Sequence, residues 1–408
     1  MTPQEYYEYK FPFEQLEKLL TINGDKLENC EFALEGKSNS GDKIYKRYVS
    51  AKTAAELRRV VCAFPNISTV HFGAFYSQNP ANRRNASVPV RRVLSFDIDL
   101  TDKDFLSLLD VDGKVSLELC DAAYPVSAMS AYILRTLLQR AFGYTQILVV
   151  YSGRRGVHVH VFDEEAMRLD NEARSAIVSY VNGSMDESGL RMSPGVALVM
   201  SMHGLREEVY RSFEKKIVQK MHALDNCGAR IDFVNRLNLS RYAEYETLAP
   251  LITSLEEDVT EPESGTDAWL FIKKKVLDAD TEWISARLDL VVLSYVWPRL
   301  DENVTRSLGH LTKVPFACHA TSGRVAVAMG AQRISLHKFV PEKDSPNLSC
   351  WDQVAMDTAI GNFNVEEKIS TCADVDMEDV VEAHTRIIQP VPSVKPFVHK
   401  RSPLVPTK

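Results

Sequence analysis

Residues 146–162 read QILVVYSGRRGVHVHVF and predict two strands joined by a short basic turn. The runs 146–151 and 157–162 are rich in the β-branched residues that favour strands. The turn 152–156 carries two glycines, which let the backbone bend tightly and approach a ligand. Its paired arginines offer planar donors suited to phosphate. The stretch therefore predicts either a triphosphate cradle or an ordinary basic hairpin tip.

A second stretch, 91–99 (RRVLSFDID), predicts a half-buried strand that ends in two carboxylates. Because strand side chains alternate between faces, Asp97 and Asp99 project from the same side, roughly 6–7 Å apart. Two like charges on one face repel, and a hard divalent cation relieves that cost. Pairs of such ions serve phosphoryl and nucleotidyl transfer. The alternative is an acidic strand end that points into water.

A third group of polar residues lies about 200 positions further along the chain. Asp301 could complete a three-carboxylate metal site with the earlier pair. Positive groups beside it are Arg299, His310, Lys313 and His319. Taken singly, each of these is more often an ordinary surface or core residue.

Composition narrows the class of protein. The 408 residues hold 48 Lys and Arg against 55 Asp and Glu, a net charge of −7. This argues against coating nucleic acid or membrane by bulk charge, although a local basic cleft is allowed. The 7 cysteines are scattered without a CxxC pair, which favours a reducing compartment. Without a signal peptide or a long apolar run, we expect an intracellular soluble protein without a membrane partner.

The pattern along the chain predicts an α+β fold. Helical spacing covers 4–20 (interrupted or entered at Pro12), 53–63, 126–142 and 281–297; strand patterns cover 43–50, 68–76 and 91–99. We expect residues 1–170 and 288–340 to form a mixed α/β core. Residues 171–287 predict a mostly helical insertion. Residues 341–408 predict a poorly packed C-terminal region whose tail, from about 389, is Pro-rich and flexible.

Several distinctive blocks are spread over roughly residues 4–330: Tyr6-Tyr7 with Phe11-Pro12-Phe13, Cys30-Glu31-Phe32, Ile44-Tyr45-Lys46-Arg47-Tyr48, Gly73-Ala74-Phe75-Tyr76-Ser77, 96–102, 151–158, 298–304, and 310–319 with Gly323-Arg324. Their order and spacing resemble the small catalytic subunit of archaeo-eukaryotic DNA primases. Agreement of so many separate blocks is far more specific than any one of them.

The resemblance implies a primase catalytic core with an inserted helical subdomain. The implied activity is synthesis of short RNA primers from ribonucleoside triphosphates on a single-stranded DNA template for replication. It also implies Mg²⁺ or Mn²⁺ at a two-metal site. The expected partners are a primase large subunit and the DNA polymerase α complex, and the expected location is the nucleus.

The resemblance also assigns roles to residues. Metal binding falls to Asp97, Asp99 and Asp301, while Glu31 occupies the place of an active-site glutamate and joins the two strand aspartates as catalytic. The nucleotide-binding positions are Arg47, Ser152, Gly153, Arg154, Arg155, Gly156, His158, Arg299, His310, Lys313 and His319.

One departure from the family concerns zinc. Small subunits usually carry a cysteine-rich zinc segment shortly after the aspartate pair. Here the corresponding stretch, 118–127, holds Cys120 as its sole cysteine, so four ligands cannot be assembled locally. We expect the structural zinc site to be lost and the loop to be held by packing.

Two other functions compete with the replicative subunit. One is a stand-alone primase-polymerase of the same superfamily that prefers deoxynucleotides in repair or damage tolerance. The other is a catalytically silent scaffold subunit. The spread of matched blocks favours the replicative subunit over the first. The presence of all three carboxylates and both loop arginines argues against the second.

Overall fold

The computed structural model describes residues 1–82, 87–100, 116–182, 185–186, 189–239, 248–279, 282–329, 336, 338–361 and 363. Residues 1–373 make up one compact unit. The second unit, residues 374–408, lies wholly outside the described residues, and so does the predicted tail from 389.

Two antiparallel sheets carry the residues singled out above. The first sheet contains β1 (Cys30–Lys37), β2 (Lys43–Val49), β3 (Ile67–Tyr76), β4 (Pro89–Arg91) and β10 (Thr312–Lys313). Its order is β10-β3-β1-β2, with β4 paired to β3. The second sheet contains β5 (Leu94–Asp99), β6 (Ile147–Tyr151), β7 (Gly156–Val161) and β11 (Ala328–Met329), in the order β11-β6-β7-β5. The predicted hairpin is therefore β6–β7, and β5 lies beside it at the edge of the ladder.

Helices cover the sheets and form most of the middle of the chain. They are α1 (Pro3–Tyr9), α2 (Phe13–Leu20), α3 (Ala54–Cys62), α4 (Leu117–Phe142), α5 (Glu164–Met167), α6 (Asn171–Val181), α7 (Pro194–Ser201), α8 (His203–Ser212), α9 (Cys227–Leu237), α10 (Ala249–Asp258), α11 (Gly265–Asp278), α12 (Glu282–Ser294), α13 (Glu302–Arg306), α14 (Pro341–Asp344) and α15 (Gln353–Gly361). A π-helical turn, Phe213–Val218, follows α8 directly. In the described part of 171–287, the short hairpin of β8 (Met185–Asp186) and β9 (Gly189–Leu190) accompanies the helices. The mixed α+β class is confirmed, while the domain boundaries stay a prediction.

The helix predicted over 126–142 begins nine residues earlier, so 118–127 is not a loop. Ser116 caps α4, because its Oγ accepts a hydrogen bond from the Leu119 N–H at 3.2 Å. Pro125 lies inside the helix, where sequence patterns normally predict a break. Cys120, the fourth residue of α4, is fully buried, and burial raises the pKa of its thiol. The absence of structural zinc stays a prediction, which metal analysis of the purified chain would check.

The expectation of a poorly packed end after residue 340 is wrong for 341–361. The Trp351 ring lies 5.9 Å from that of Tyr6, at the opposite end of the chain. Met356, on α15, is fully buried. The Phe363 ring meets the Phe316 ring edge-on at 4.8 Å. Local patterns do not predict this packing, because partners such as Phe316 and Tyr6 are tens to hundreds of residues away in sequence. In the described part of the chain, no helix is both long enough and apolar enough to cross a bilayer.

Candidate active site

The three predicted metal carboxylates come together on one face at the edge of the second sheet. Ile98 and Leu300 form an antiparallel bridge. On either side of it, the Asp301 N–H donates to the Asp97 carbonyl at 3.0 Å, and the Asp99 N–H donates to the Arg299 carbonyl at 3.3 Å. Residues directly opposite in an antiparallel pair point to the same side. Asp97, Asp99 and Asp301 therefore share a face, although Asp301 is about 200 positions away in sequence.

The environment of this face disfavours three full negative charges. Burial raises the pKa of Asp97 to about 6, and the neighbouring Asp301 charge adds to the rise while Lys313 opposes it. Burial likewise raises the pKa of Asp99, with Arg155 opposing and Asp97 contributing. A divalent cation would remove this repulsion, and carboxylate oxygens are the ligands that Mg²⁺ and Mn²⁺ prefer. By donor chemistry, the face fits such ions.

Each carboxylate has a polar protein group beside it in the structure. Arg155 Nε lies 3.1 Å from Asp99 Oδ1, and His158 Nε2 lies 3.6 Å from Asp97 Oδ1. Asp301 Oδ1 accepts from the Asn303 N–H at 3.1 Å and so caps α13. Across the described ranges, no group of three or more His, Cys, Asp or Glu side chains is arranged to hold a metal ion as it stands.

The glycine turn between β6 and β7 packs against this face. Its ends are joined by two hydrogen bonds, from the Ser152 N–H to the Gly156 carbonyl at 3.0 Å and from the Gly156 N–H to Ser152 Oγ at 3.2 Å. Gly153 has φ +97°, and a Cβ there would lie 2.7 Å from the Cβ of His319. A Cβ on Gly156 would lie 2.8 Å from the Ile98 carbonyl oxygen. The two glycines thus place the turn between the aspartates and His319.

The basic and imidazole groups differ in charge. Lys313 on β10 lies opposite His71 of β3, and burial lowers its pKa while Asp97 partly restores it. Burial, with Lys313 nearby, lowers the pKa of both His158 and His319 to about 3, and burial also lowers the pKa of His310. His158 and His319 are therefore neutral near pH 7. Positive charge at the site therefore comes from Lys313 and the arginines. The expectation that His319 is a positive group is wrong, because burial keeps its imidazole neutral.

Glu31 lies in the first sheet, whereas Asp97 and Asp99 lie on β5 of the second sheet. It is fully buried on β1, and its carboxylate accepts from Arg47 Nε at 2.8 Å and Arg47 Nη2 at 3.1 Å. The Tyr76 hydroxyl donates to the same carboxylate at 3.0 Å. Arg47 Nη2 also donates to the Gly309 carbonyl at 3.0 Å, just before His310. These bonds favour a role for Glu31 in fixing Arg47.

A cavity of about 440 Å³, which local sequence patterns do not predict, lies beside Arg47. Its walls include Tyr45, Arg47, His71 and His310. Within the described residues, the buried Nδ1 of His71 has no hydrogen-bond partner. In the sequence, the alternation of Lys43, Tyr45 and Arg47 along β2 indicates that these side chains share one face of the strand. His71 is a single residue within a strand pattern and gives no indication of a cavity.

A carboxylate face beside a basic glycine turn, on an α+β core, is the kind of site found in enzymes that act on nucleotide phosphates. The profile of the DNA primase small subunit family matches residues 96–331, more than half of the chain. The chain therefore belongs to the DNA primase small subunit family. Membership supports a primase enzyme and implies a complex with a large subunit.

Individual relatives cover most of the chain. The DNA primase small subunit of Schizosaccharomyces pombe is 30% identical over 347 residues, which span 81% of this chain and 73% of that protein. The Drosophila melanogaster DNA primase small subunit is 28% identical, over 74% of this chain and 69% of its own length. An archaeal relative, the primase small subunit PriS of Thermococcus sibiricus, is 24% identical over 85% of this chain and 92% of its own.

Proposed function

We propose that this chain is a DNA-directed RNA polymerase that synthesises short RNA primers on single-stranded DNA. The observation that carries the proposal is the shared face of Asp97, Asp99 and Asp301, directly beside the turn 152–156. Family membership supports the primase class, and the geometry supports nucleotidyl transfer as its chemistry. Ribonucleoside triphosphates are the proposed substrates.

The carboxylates and the basic groups have separate proposed roles. Asp97, Asp99 and Asp301 would hold Mg²⁺ or Mn²⁺, which when bound activate the attacking 3′-hydroxyl and stabilise the pyrophosphate leaving group. Arg154, Arg155 and Lys313 neutralise the charge that develops on the phosphates. When a nucleotide enters, we expect Arg155 to leave Asp99 and bind a phosphate group, since its planar guanidinium fits either anion.

The imidazoles and the cavity complete the binding site in this account. His158 and His319 are neutral, so each offers an N–H donor to phosphate oxygens without adding charge. The cavity beside Tyr45 and His71 would receive the sugar and base of a nucleotide or primer end. Its position next to His310 and Arg47 supports this assignment, and so does the unpaired His71 nitrogen.

The proposed partners follow the family. A primase large subunit is expected, and we further propose assembly with the DNA polymerase α complex and location in the nucleus. The net charge of −7 implies that template binding relies on a local basic surface.

De novo synthesis on single-stranded DNA tests the proposal. The full-length chain, alone and with a large subunit, is supplied with labelled nucleotides and Mg²⁺ or Mn²⁺. Short RNA products that disappear in the Asp97→Ala/Asp99→Ala double variant support it. If the chain makes DNA products in preference to RNA products, it belongs to the stand-alone primase-polymerase class. A folded wild-type chain that makes no product even with the large subunit would indicate a scaffold.

A further inference from the structure

A buried ion pair connects α4 to the turn that carries His319. Arg324 Nη2 donates to Asp121 Oδ2 at 2.8 Å, and Nη1 donates to Asp121 Oδ1. The Arg324 side chain is 6% exposed and the Asp121 side chain 9%. The geometry is bidentate, which fixes orientation as well as charge. Neither residue is among the predicted site residues.

The backbone of Arg324 shapes the turn above this pair. The His319 N–H donates to the Arg324 carbonyl at 2.8 Å, which closes the turn 319–324. Ser322 Oγ then donates to the Gly153 carbonyl at 2.6 Å. The turn therefore contacts the 152–156 loop through a hydrogen bond and through the close packing of His319 on Gly153.

The same guanidinium reaches the loop by a second route. Arg324 Nη1 donates to the Tyr151 hydroxyl at 3.3 Å. That hydroxyl donates in turn to the Arg154 carbonyl at 2.8 Å. One arginine thus holds the first turns of α4, the end of β6 and both loops that carry proposed phosphate-binding side chains.

We infer that the Asp121–Arg324 pair is a positioning device that holds His319 and Arg154 in register for a triphosphate. This inference rests on the proposed function and specifies which contacts prepare that site. Arg324 itself is unsuited to bind phosphate, because its side chain is buried and its guanidinium is engaged by Asp121 and Tyr151. Removing one partner of a buried pair leaves the other charge uncompensated, so Asp121→Asn should disturb the turn.

The test compares ATP with AMP as probes, by calorimetric titration of the full-length chain in Mg²⁺. Asp121→Asn should weaken ATP binding about tenfold, which corresponds to about 1.4 kcal/mol, and AMP binding less than about twofold. Asp121→Glu, which keeps the charge, should recover much of the ATP affinity. A control variant, Asp232→Asn, breaks an exposed Asp232–Arg236 pair on α9 and should change neither affinity.

Thermal unfolding separates positioning from simple loss of stability. If Asp121→Asn does not fold, Arg324→Lys replaces it, since it keeps the charge but loses the bidentate fork. A folded variant with unchanged ATP affinity, or with equal losses of affinity for ATP and AMP, overturns this inference but leaves the proposed function intact. A wild-type chain that binds no ATP overturns the proposed function and this inference with it.

Discussion

Asp97 lies where burial and a second carboxylate act against its own charge. Its pKa rises from 3.8 to about 6, so the folded chain holds a proton more tightly there than the unfolded chain does. A raised carboxylate pKa contributes stability that is complete below pH 4 and is lost as pH rises through about 6. At neutral pH the ionised Asp97 therefore costs stability in the absence of a bound cation.

Asp97→Asn should remove this loss of stability. In chelator at pH 7–8, we expect the variant to exceed wild type in free energy of unfolding by about 1–2 kcal/mol, because a neutral amide replaces the strained carboxylate. The advantage should shrink below pH 4, where the wild-type group is protonated. Denaturant unfolding at several pH values measures the difference. A difference that does not change with pH would contradict the assigned environment.

Gly153 is a second residue at which the surrounding structure restricts substitution. Gly153→Ala places a Cβ 2.7 Å from His319 at a φ of +97° and should raise the nucleotide KM at least about fivefold. Gly24→Ala is the matched control, since Gly24 also has positive φ but nothing lies within 4 Å of its added Cβ. Both variants should lose about 1 kcal/mol through backbone strain. Equal KM values for the two variants would count against the packing of the turn on His319.

At the scale of elements, local patterns predicted the hairpin β6–β7 and the strand β5 closely. These elements are fixed by β-branched runs and glycines that lie within a few residues of each other. The start of α4 was misplaced because Pro125 normally ends a helix, whereas Ser116 and tertiary packing keep this one continuous. The pair of Asp121 and Arg324 was missed for a similar reason, since 203 positions separate its members.

Helix α15 provides a test of packing that the sequence did not predict. Met356→Ala should lower the free energy of unfolding by about 2–4 kcal/mol, because the side chain is fully buried. Val354→Ala on the same helix should cost less than about 0.5 kcal/mol, since that side chain is 73% exposed. Denaturant unfolding compares the two. Equal small effects would indicate that α15 does not pack as described.

At the scale of the whole molecule, the site is assembled from both sheets and from distant parts of the chain. Asp97 and Asp99 come from β5, Lys313 comes from the other sheet, and Asp301 precedes α13. The sequence could name these residues as candidates because carboxylates and arginines stand out at strand ends. It could not derive their proximity from local patterns, since the bridge between Ile98 and Leu300 depends on tertiary pairing.

The central claim is that Asp301 acts together with Asp97 and Asp99 in one site. The most direct measurement is RNA primer synthesis on single-stranded DNA by Asp301→Asn at saturating nucleotide, with Asp232→Asn as an exposed, charge-matched control. We predict a loss of at least about 100-fold for Asp301→Asn with cooperative unfolding retained, as expected for removal of a ligand of the proposed metal ions. The control should keep wild-type activity. A folded Asp301→Asn variant with wild-type activity would contradict the account.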